Sequence, residues 1–300
     1  MKHFLLQISL FLFAFISFDI CMGLLLRYGE AHAIGGNTKR IYHINNICCD
    51  DVLVFGSSRS TNHYNTQILE DSLKMGVYDC GEDKTGIVCF YPKLNLMKQR
   101  YTPKIIIYDI YNFDLLDNPK YSNIDELKTL KSLYGTECVD TMFSRYDASS
   151  RYKMWSNMYR YNSVVFQMLL DNIRTTNWYR KGFYLLNTKI MGGNPCVDNT
   201  HKVYNYDREK LRLLDLFITE NKDSIRMAFA ISPEYGKTND DMYEPIKKMC
   251  NHYDIPLLNH LCDTVFTHHS DLFSNGNHLN QEGAKLYSRI IASEIKKIIE

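Results

Sequence analysis

Residues 51–60 read Asp-Val-Leu-Val-Phe-Gly-Ser-Ser-Arg-Ser. Within them Val52, Leu53, Val54 and Phe55 form a short unbroken apolar run that Gly56 stops, the pattern of a strand buried on both faces. Ile105-Ile106-Ile107-Tyr108 repeats the pattern after Pro103, residues 227–231 repeat it ahead of Ser232-Pro233, and Ile255-Pro256-Leu257-Leu258 offers a fourth run. Helical patterns fill the gaps at 87–97, 124–133, 211–218 and 243–250. A last helix is expected just after Asn280, since Ala284, Tyr287, Ile291 and Ile295 recur on one face. Strands alternating with helices predict an α/β fold with a mostly parallel sheet covered on both sides.

The chain has 300 residues, 45% of them hydrophobic, which is enough for one sizeable core, so a single domain is expected over residues 51–300. Its 35 basic and 34 acidic residues leave a formal charge of +1. No field of that size recruits nucleic acid, and none is expected as a partner. Nine cysteines without a CxxC spacing suggest no zinc site, and no metal or cofactor is expected. They read as small buried side chains, although an oxidising compartment would let some pair.

Residues 4–26 are apolar apart from Asp19 and the thiol of Cys21. About 23 such residues can cross a bilayer core. Asp19 would cost about 2.5–3.5 kcal/mol at the centre of a spanning helix, but it lies off-centre and leucines continue beyond it. Ala31-His32-Ala33 resembles a small-residue cleavage site, so residues 1–26 are either an uncleaved signal anchor or a signal peptide. Either way the remainder is expected outside the cytoplasm, attached to the membrane through the N-terminal segment or secreted after cleavage. Residues 27–50, polar and carrying Gly35-Gly36, read as a linker.

Residues 115–205 interrupt the strand and helix alternation, and read as a helical insertion packed beside the sheet. Met154, Met158, Tyr161, Val165 and Met168 follow a helical spacing there, a stripe that more often marks core than a cofactor box. Residues 191–195 read as an ordered loop.

Ligands of an open α/β sheet bind outside the carboxyl ends of its strands, so the polar residues that follow the apolar runs are the first candidates for chemistry. Gly56 lets the backbone turn sharply, and Ser57 or Ser58 opens the next helix. A serine in that place is often no more than a helix cap. At the far end of the chain, Asn275-Gly276-Asn277-His278-Leu279-Asn280 precedes the last helix. A histidine in that loop can reach back over the sheet edge, and paired with a strand-terminal serine it fits the nucleophile and base logic of acyl transfer.

These segments resemble the blocks of the SGNH/GDSL hydrolases. Phe55-Gly56-Ser57-Ser58-Arg59 looks like the first block, with GSS in place of GDS. Residues 78–86 resemble the second, and Asn112, after the strand at Ile105, sits where the third supplies an asparagine. Asn275 to Asn280 with Gly283-Ala284 resembles the terminal block, with an asparagine where the family has aspartate. The likeness spans residues 51–299 and is strongest to membrane-anchored proteins of Bacteroidetes envelopes that share the GSSR start. It implies an SGNH-hydrolase-like, flavodoxin-like three-layer sandwich.

Carried over, the resemblance implies Ser58 as nucleophile, His278 as base and Asn275 in the place of the orienting acid. The N–H groups of Ser58 and Gly81 with the Asn112 side chain would form the oxyanion hole, and Arg59 and His63 would bind substrate. The implied activity is that of an esterase or O-acyltransferase on O-acyl groups, acetyl foremost, of an envelope glycan or acyl-sugar substrate. A membrane acyltransferase is the implied partner. The missing aspartate leaves open a slow Ser58/His278 dyad, a carboxylate supplied by Asp271 or Asp109, and a non-catalytic glycan-binding or envelope assembly protein.

Overall fold

The computed structural model describes residues 1–174, 179–189 and 203–300. The loop expected at 191–195 lies outside the described residues. The chain divides into two compact units, one of Asn46–Ser122 with Trp178–Glu300 and one of Met1–Asn45 with Asn123–Asn177.

In the first unit the strands Val52–Gly56 (β1), Val77–Asp79 (β2), Ile105–Asp109 (β3), Arg226–Ile231 (β4) and Leu257–Asn259 (β5) form one sheet in the order β2-β1-β3-β4-β5. Every neighbouring pair is parallel. Alternate residues of the apolar runs serve the two faces. Val52, Val54, Ile105, Ile107, Ala228 and Ala230 join Leu69 and Leu73 of helix Thr66–Leu73 and Tyr287, Ile291 and Ile295 of helix Gln281–Ile299 in one core. On the other face the Tyr108 ring packs tilted at 5.4 Å from Phe217 of helix Arg208–Thr219 and edge-on at 5.8 Å from Phe90 of helix Ile87–Lys98. Helices on both faces of a parallel sheet in this order make a flavodoxin-like three-layer sandwich, as the sequence predicts. The strand β2 was not anticipated, because three residues are too few to show a period.

The two ends of the stretch 116–206 meet, although within it Phe183 already joins the sandwich core. Leu116 bridges Tyr206 antiparallel, the Asp117 N–H donates to Asn205 O at 3.0 Å, and the Asp207 N–H donates to Leu115 O at 2.9 Å.

The second unit is helical. Its first helix, Lys2–Ala31, is the one helix among the described residues long and apolar enough to cross a membrane, by length and composition. The stretch 27–50 departs from the linker expectation, for the first helix continues to Ala31 and Gly36–Asn46 forms another. Ile41 and Ile44, three residues apart, are both buried, which gives that segment a helical face to cover. The stripe from Met154 to Met168 is likewise not one helix. Ser156 caps a new start by accepting the Tyr159 N–H at 3.2 Å, so Ser150–Lys153, Asn157–Tyr161 and Val165–Ile173 are separate. Met154, Tyr161 and Met168 are buried, while Met158 is exposed.

Candidate active site

The serine of the first block stands at the switch point of the sheet, where the order turns from β1 to β3. Gly56 ends β1 with φ of +150°, opposite Asp109 in the register. A side chain there would come within 2.8 Å of Asp109 O, so only glycine lets the two strand ends close together. Ser57 caps the next helix, Ser58–His63, by accepting the Arg59 N–H at 3.4 Å. Ser58 is then the first helical residue and half-buried. Among the described residues no protein group accepts its N–H, as expected for the first turn of a helix.

His278 approaches from the hairpin Phe273–Asn275 and His278–Leu279. Its Nε2 lies 2.8 Å from Ser58 Oγ, and its Nδ1 lies 3.0 Å from Asn275 Oδ1. The same Oδ1 accepts the backbone N–H groups of Asn277 and His278, each at 3.0 Å. Two backbone donors converging on one atom require that atom to be the amide oxygen, since an NH2 group there would face them donor to donor. The oxygen can only accept, so Nδ1 carries the ring proton and the Nε2 lone pair faces the serine hydroxyl. Burial holds the His278 pKa below the ordinary value, and the positive charge of Arg59 adds to this while Asp83 opposes it. The ring is therefore neutral at pH 7 and able to take a proton.

Both ring nitrogens of His278 are thus occupied without a carboxylate. Asp271 pairs instead with His269, 3.6 Å from its Nδ1. Asp109 is fully buried and accepts from Tyr64 OH at 3.1 Å, the Ser232 N–H at 2.9 Å and Ser232 Oγ at 3.0 Å. Burial raises its pKa, against the opposing pull of Arg59 and these hydrogen bonds.

Arg59 and His63 correct the substrate-binding expectation, because both are fully buried. Arg59 Nη1 donates to Glu234 Oε1 at 2.6 Å, Nε donates to Ser232 Oγ at 2.9 Å, and Cζ lies 4.6 Å from the centre of the Tyr111 ring. A guanidinium in this setting neutralises Asp109 and Glu234 under the nucleophile and has no face left for a ligand. His63 Nε2 accepts the Leu279 N–H at 3.0 Å, so its Nδ1 holds the proton and donates to Ser232 Oγ at 2.9 Å. Burial, with Arg59 and His278 nearby, keeps the His63 pKa well below the ordinary value. This ring ties the nucleophile helix to the strand that carries His278. Ser232, which follows β4, reads from sequence only as part of a strand stop, and Glu234 was not singled out. Their position after an apolar run was the available signal.

Gly81 departs from the oxyanion expectation. Its N–H donates to Asp79 Oδ1 at 2.8 Å, closing a turn at the end of β2, and is not free for a substrate oxygen. Asn112 opens the short helix Asn112–Leu115 just past β3. Among the described residues its buried Oδ1 has no hydrogen-bond partner. The neighbouring Tyr111 accepts from Asn277 Nδ2 at 3.3 Å, which puts this loop beside the histidine hairpin.

No known family model matches the chain, and no curated protein does. Solved structures do. A protein described as lipolytic and of the G-D-S-L family, from Desulfitobacterium hafniense DCB-2, matches at 12% identity and a TM-score of 0.39, covering 81% of this chain and 97% of its own. An acetyl xylan esterase, AlAXEase, matches at 10% and 0.39, covering 83% and 100%. The acetyl xylan esterase Est2A from the rumen bacterium Butyrivibrio proteoclasticus matches at 9% and 0.37, covering 83% and 64%. Matches this distant bear on neither activity nor substrate.

Proposed function

We propose that this chain is a membrane-anchored serine esterase or O-acyltransferase of the SGNH type, which removes or transfers acyl groups, acetyl foremost, on an envelope glycan. The observation that carries the reading is the run from Asn275 Oδ1 through the imidazole of His278 to Ser58 Oγ, with the proton held at Nδ1. A cap serine and a structural histidine have no reason to meet at 2.8 Å across 220 residues of sequence.

Ser58 Oγ attacks the acyl carbonyl and its proton moves to His278 Nε2. The oxygen of the tetrahedral intermediate gains negative charge, which the N–H of Ser58 and the side-chain amide of Asn112 would stabilise. One such donor is worth about 2.7–4 kcal/mol. His278 returns the proton to the departing sugar oxygen, which leaves the acyl group on Ser58. Water completes an esterase cycle, and a second sugar hydroxyl completes a transferase cycle. Asn275 keeps the ring oriented but adds no charge to stabilise the imidazolium, so turnover is slower than with a carboxylate. The N-terminal helix supports envelope attachment, and a transferase cycle would draw its acyl group from a membrane acyltransferase.

The test is fluorophosphonate labelling of the purified full chain, followed by acetate release from acetylated glycan with and without an acceptor sugar. Adduct on Ser58 and acetate release support the enzyme. Release only with acceptor selects transfer. No adduct under conditions that label a known serine esterase would favour the non-catalytic glycan-binding reading, for which the engaged N–H of Gly81 is the specific support.

A further inference from the structure

The geometry points to the helical insertion as a membrane-contacting element, in which Trp155 and the helix face of Phe166, Leu169 and Ile173 lie in lipid beside the N-terminal helix. The inference rests on that helix being the proposed anchor.

The argument begins with length. From Phe4 to Ile20 the helix Lys2–Ala31 carries exposed large hydrophobic side chains, but those 17 residues span only about 25 Å at 1.5 Å per residue. A bilayer core is about 30 Å thick. Leu24 and Leu25 are also exposed, at 63% and 61%, and extending the apolar exterior to them gives about 33 Å. The lipid layer must therefore reach past Asp19 to the level of Leu25.

At that level the helix is no longer alone. Asp19 accepts from Ser156 Oγ at 2.6 Å, from the N–H groups of Asn157 at 2.8 Å and Met158 at 3.1 Å, and from Asn157 Nδ2 at 3.0 Å. An acid at membrane depth needs such partners, and here the start of helix Asn157–Tyr161 supplies them. One turn on, a Cβ added at Gly23 would overlap the Asn157 side chain, so the two backbones approach as closely as small residues allow. Leu26 then packs with Tyr161 and Met168, and Asn172 Nδ2 donates to Gly29 O at 3.0 Å. Ser156 to Met158 thus meet the anchor within the part that the bilayer must cover, and Tyr161, Met168 and Asn172 meet it at the outer margin, at Leu26 and Gly29.

Their outer surface suits that place. In helix Val165–Ile173, Met168 and Asp171 point inward, while Phe166, Leu169 and Ile173 are 73%, 54% and 77% exposed on the other side. Trp155 is 79% exposed just before the Asp19 contact, with Arg151 and Tyr152 exposed beside it. Tryptophan, tyrosine and arginine together are what membrane interfaces collect. The elements that carry this apolar surface pack against the anchor, whose own apolar side chains are exposed, and lipid is the occupant that covers both.

The chain has two tryptophans, so Trp178→Phe leaves Trp155 as the sole indole. The full chain carrying that change is placed in phosphatidylethanolamine and phosphatidylglycerol vesicles doped with phospholipid brominated near the headgroup end of the acyl chains. Resistance to alkaline carbonate extraction reads the anchor, and indole emission reads the insertion. The expected result is a retained protein whose emission is at least halved by the brominated lipid and is shielded from acrylamide. A second chain, with Trp155→Phe, Trp178→Phe and Phe166→Trp, should be quenched as well. A retained protein whose indoles meet acrylamide freely and ignore bromine overturns the inference and leaves the face to another protein. Extraction by carbonate overturns the anchor and the inference with it.

Discussion

Two histidines stand 6.2 Å apart at the crevice, and the regions around them differ in one respect. Each ring is neutral, and each has its proton at Nδ1 and its lone pair at Nε2. At His63 the lone pair meets the backbone N–H of Leu279, and the proton meets Ser232, which Arg59 and Asp109 also hold. At His278 the proton meets Asn275, and the lone pair meets a hydroxyl. A backbone N–H has no proton to give up, whereas a serine hydroxyl does once a carbonyl is within reach. The difference between a fastening and a base lies in that one partner.

The strongest way to break the comparison is to remove chemistry from one side. Ser58→Ala and His278→Ala should each lower acetyl-ester turnover by about 10⁴-fold or more, with the melting temperature nearly unchanged. Substitution of His63 should do the reverse in emphasis. His63→Ala strands the Leu279 N–H and disturbs Ser232, and should cost about 3 kcal/mol of stability by denaturant titration. Turnover should also fall, because the strand carrying His278 loses its tie.

A subtler change sharpens the histidine proposed as base. Asn275→Asp should keep the three hydrogen bonds and add charge, raising kcat/KM by about tenfold, the gap between a neutral and a charge-assisted hydrogen bond. Asn275 is exposed, so solvent screening prevents a larger gain. The carboxylate should also move the acid limb of the pH–rate profile upward. In the parent, His278 sits below its ordinary value through burial and Arg59, so activity should persist below pH 6.5 before protonation ends it. A gain that survives Ser58→Ala would refute the dyad.

Acid should also weaken the fold through the same pair. Both folded pKa values are lowered, so the unfolded chain takes up protons first as pH falls. Their contribution is complete above the unfolded value near 6.5 and declines below it, by about 1.4 kcal/mol per pH unit for each ring. His63→Gln should flatten that slope in urea titrations at pH 5–7. The smallest effect belongs to Ser57→Ala, whose cap bond is long at 3.4 Å and should be worth about 0.5 kcal/mol.

The sheet was legible because three of its strands are apolar runs buried on both sides and the half-buried edge strand Leu257–Asn259 ends a fourth such run, and the serine and histidine were legible because they follow or face the ends of those runs. Asn275 could be placed by its block, but its amide orientation depends on two backbone donors that only the folded hairpin creates. Arg59 and His63 were misassigned for the opposite reason, since a charged or polar letter after a nucleophile does not say whether the helix turns it outward or under the sheet. Gly81 failed on a local contest, in which Asp79 two residues earlier takes the N–H that the block would reserve for substrate. The broken helices between 150 and 173 escaped because Ser156 restarts the period without disturbing the spacing of the apolar residues.

The bridge between Leu116 and Tyr206 has a consequence for how this chain can change over evolutionary time. Of the chain between those two residues, Phe183 joins the sandwich core and Tyr184 O accepts from Asn62 Nδ2, so only the stretch Asn123–Asn177 is, to the sandwich, a loop. Loop-closure entropy grows only with the logarithm of length, so doubling or halving such a loop alters the stability of the parent fold by about 0.6 kcal/mol. The length and content of that stretch can thus drift at little cost to the sheet that holds Ser58, which lets the helical unit diverge much faster than the sandwich.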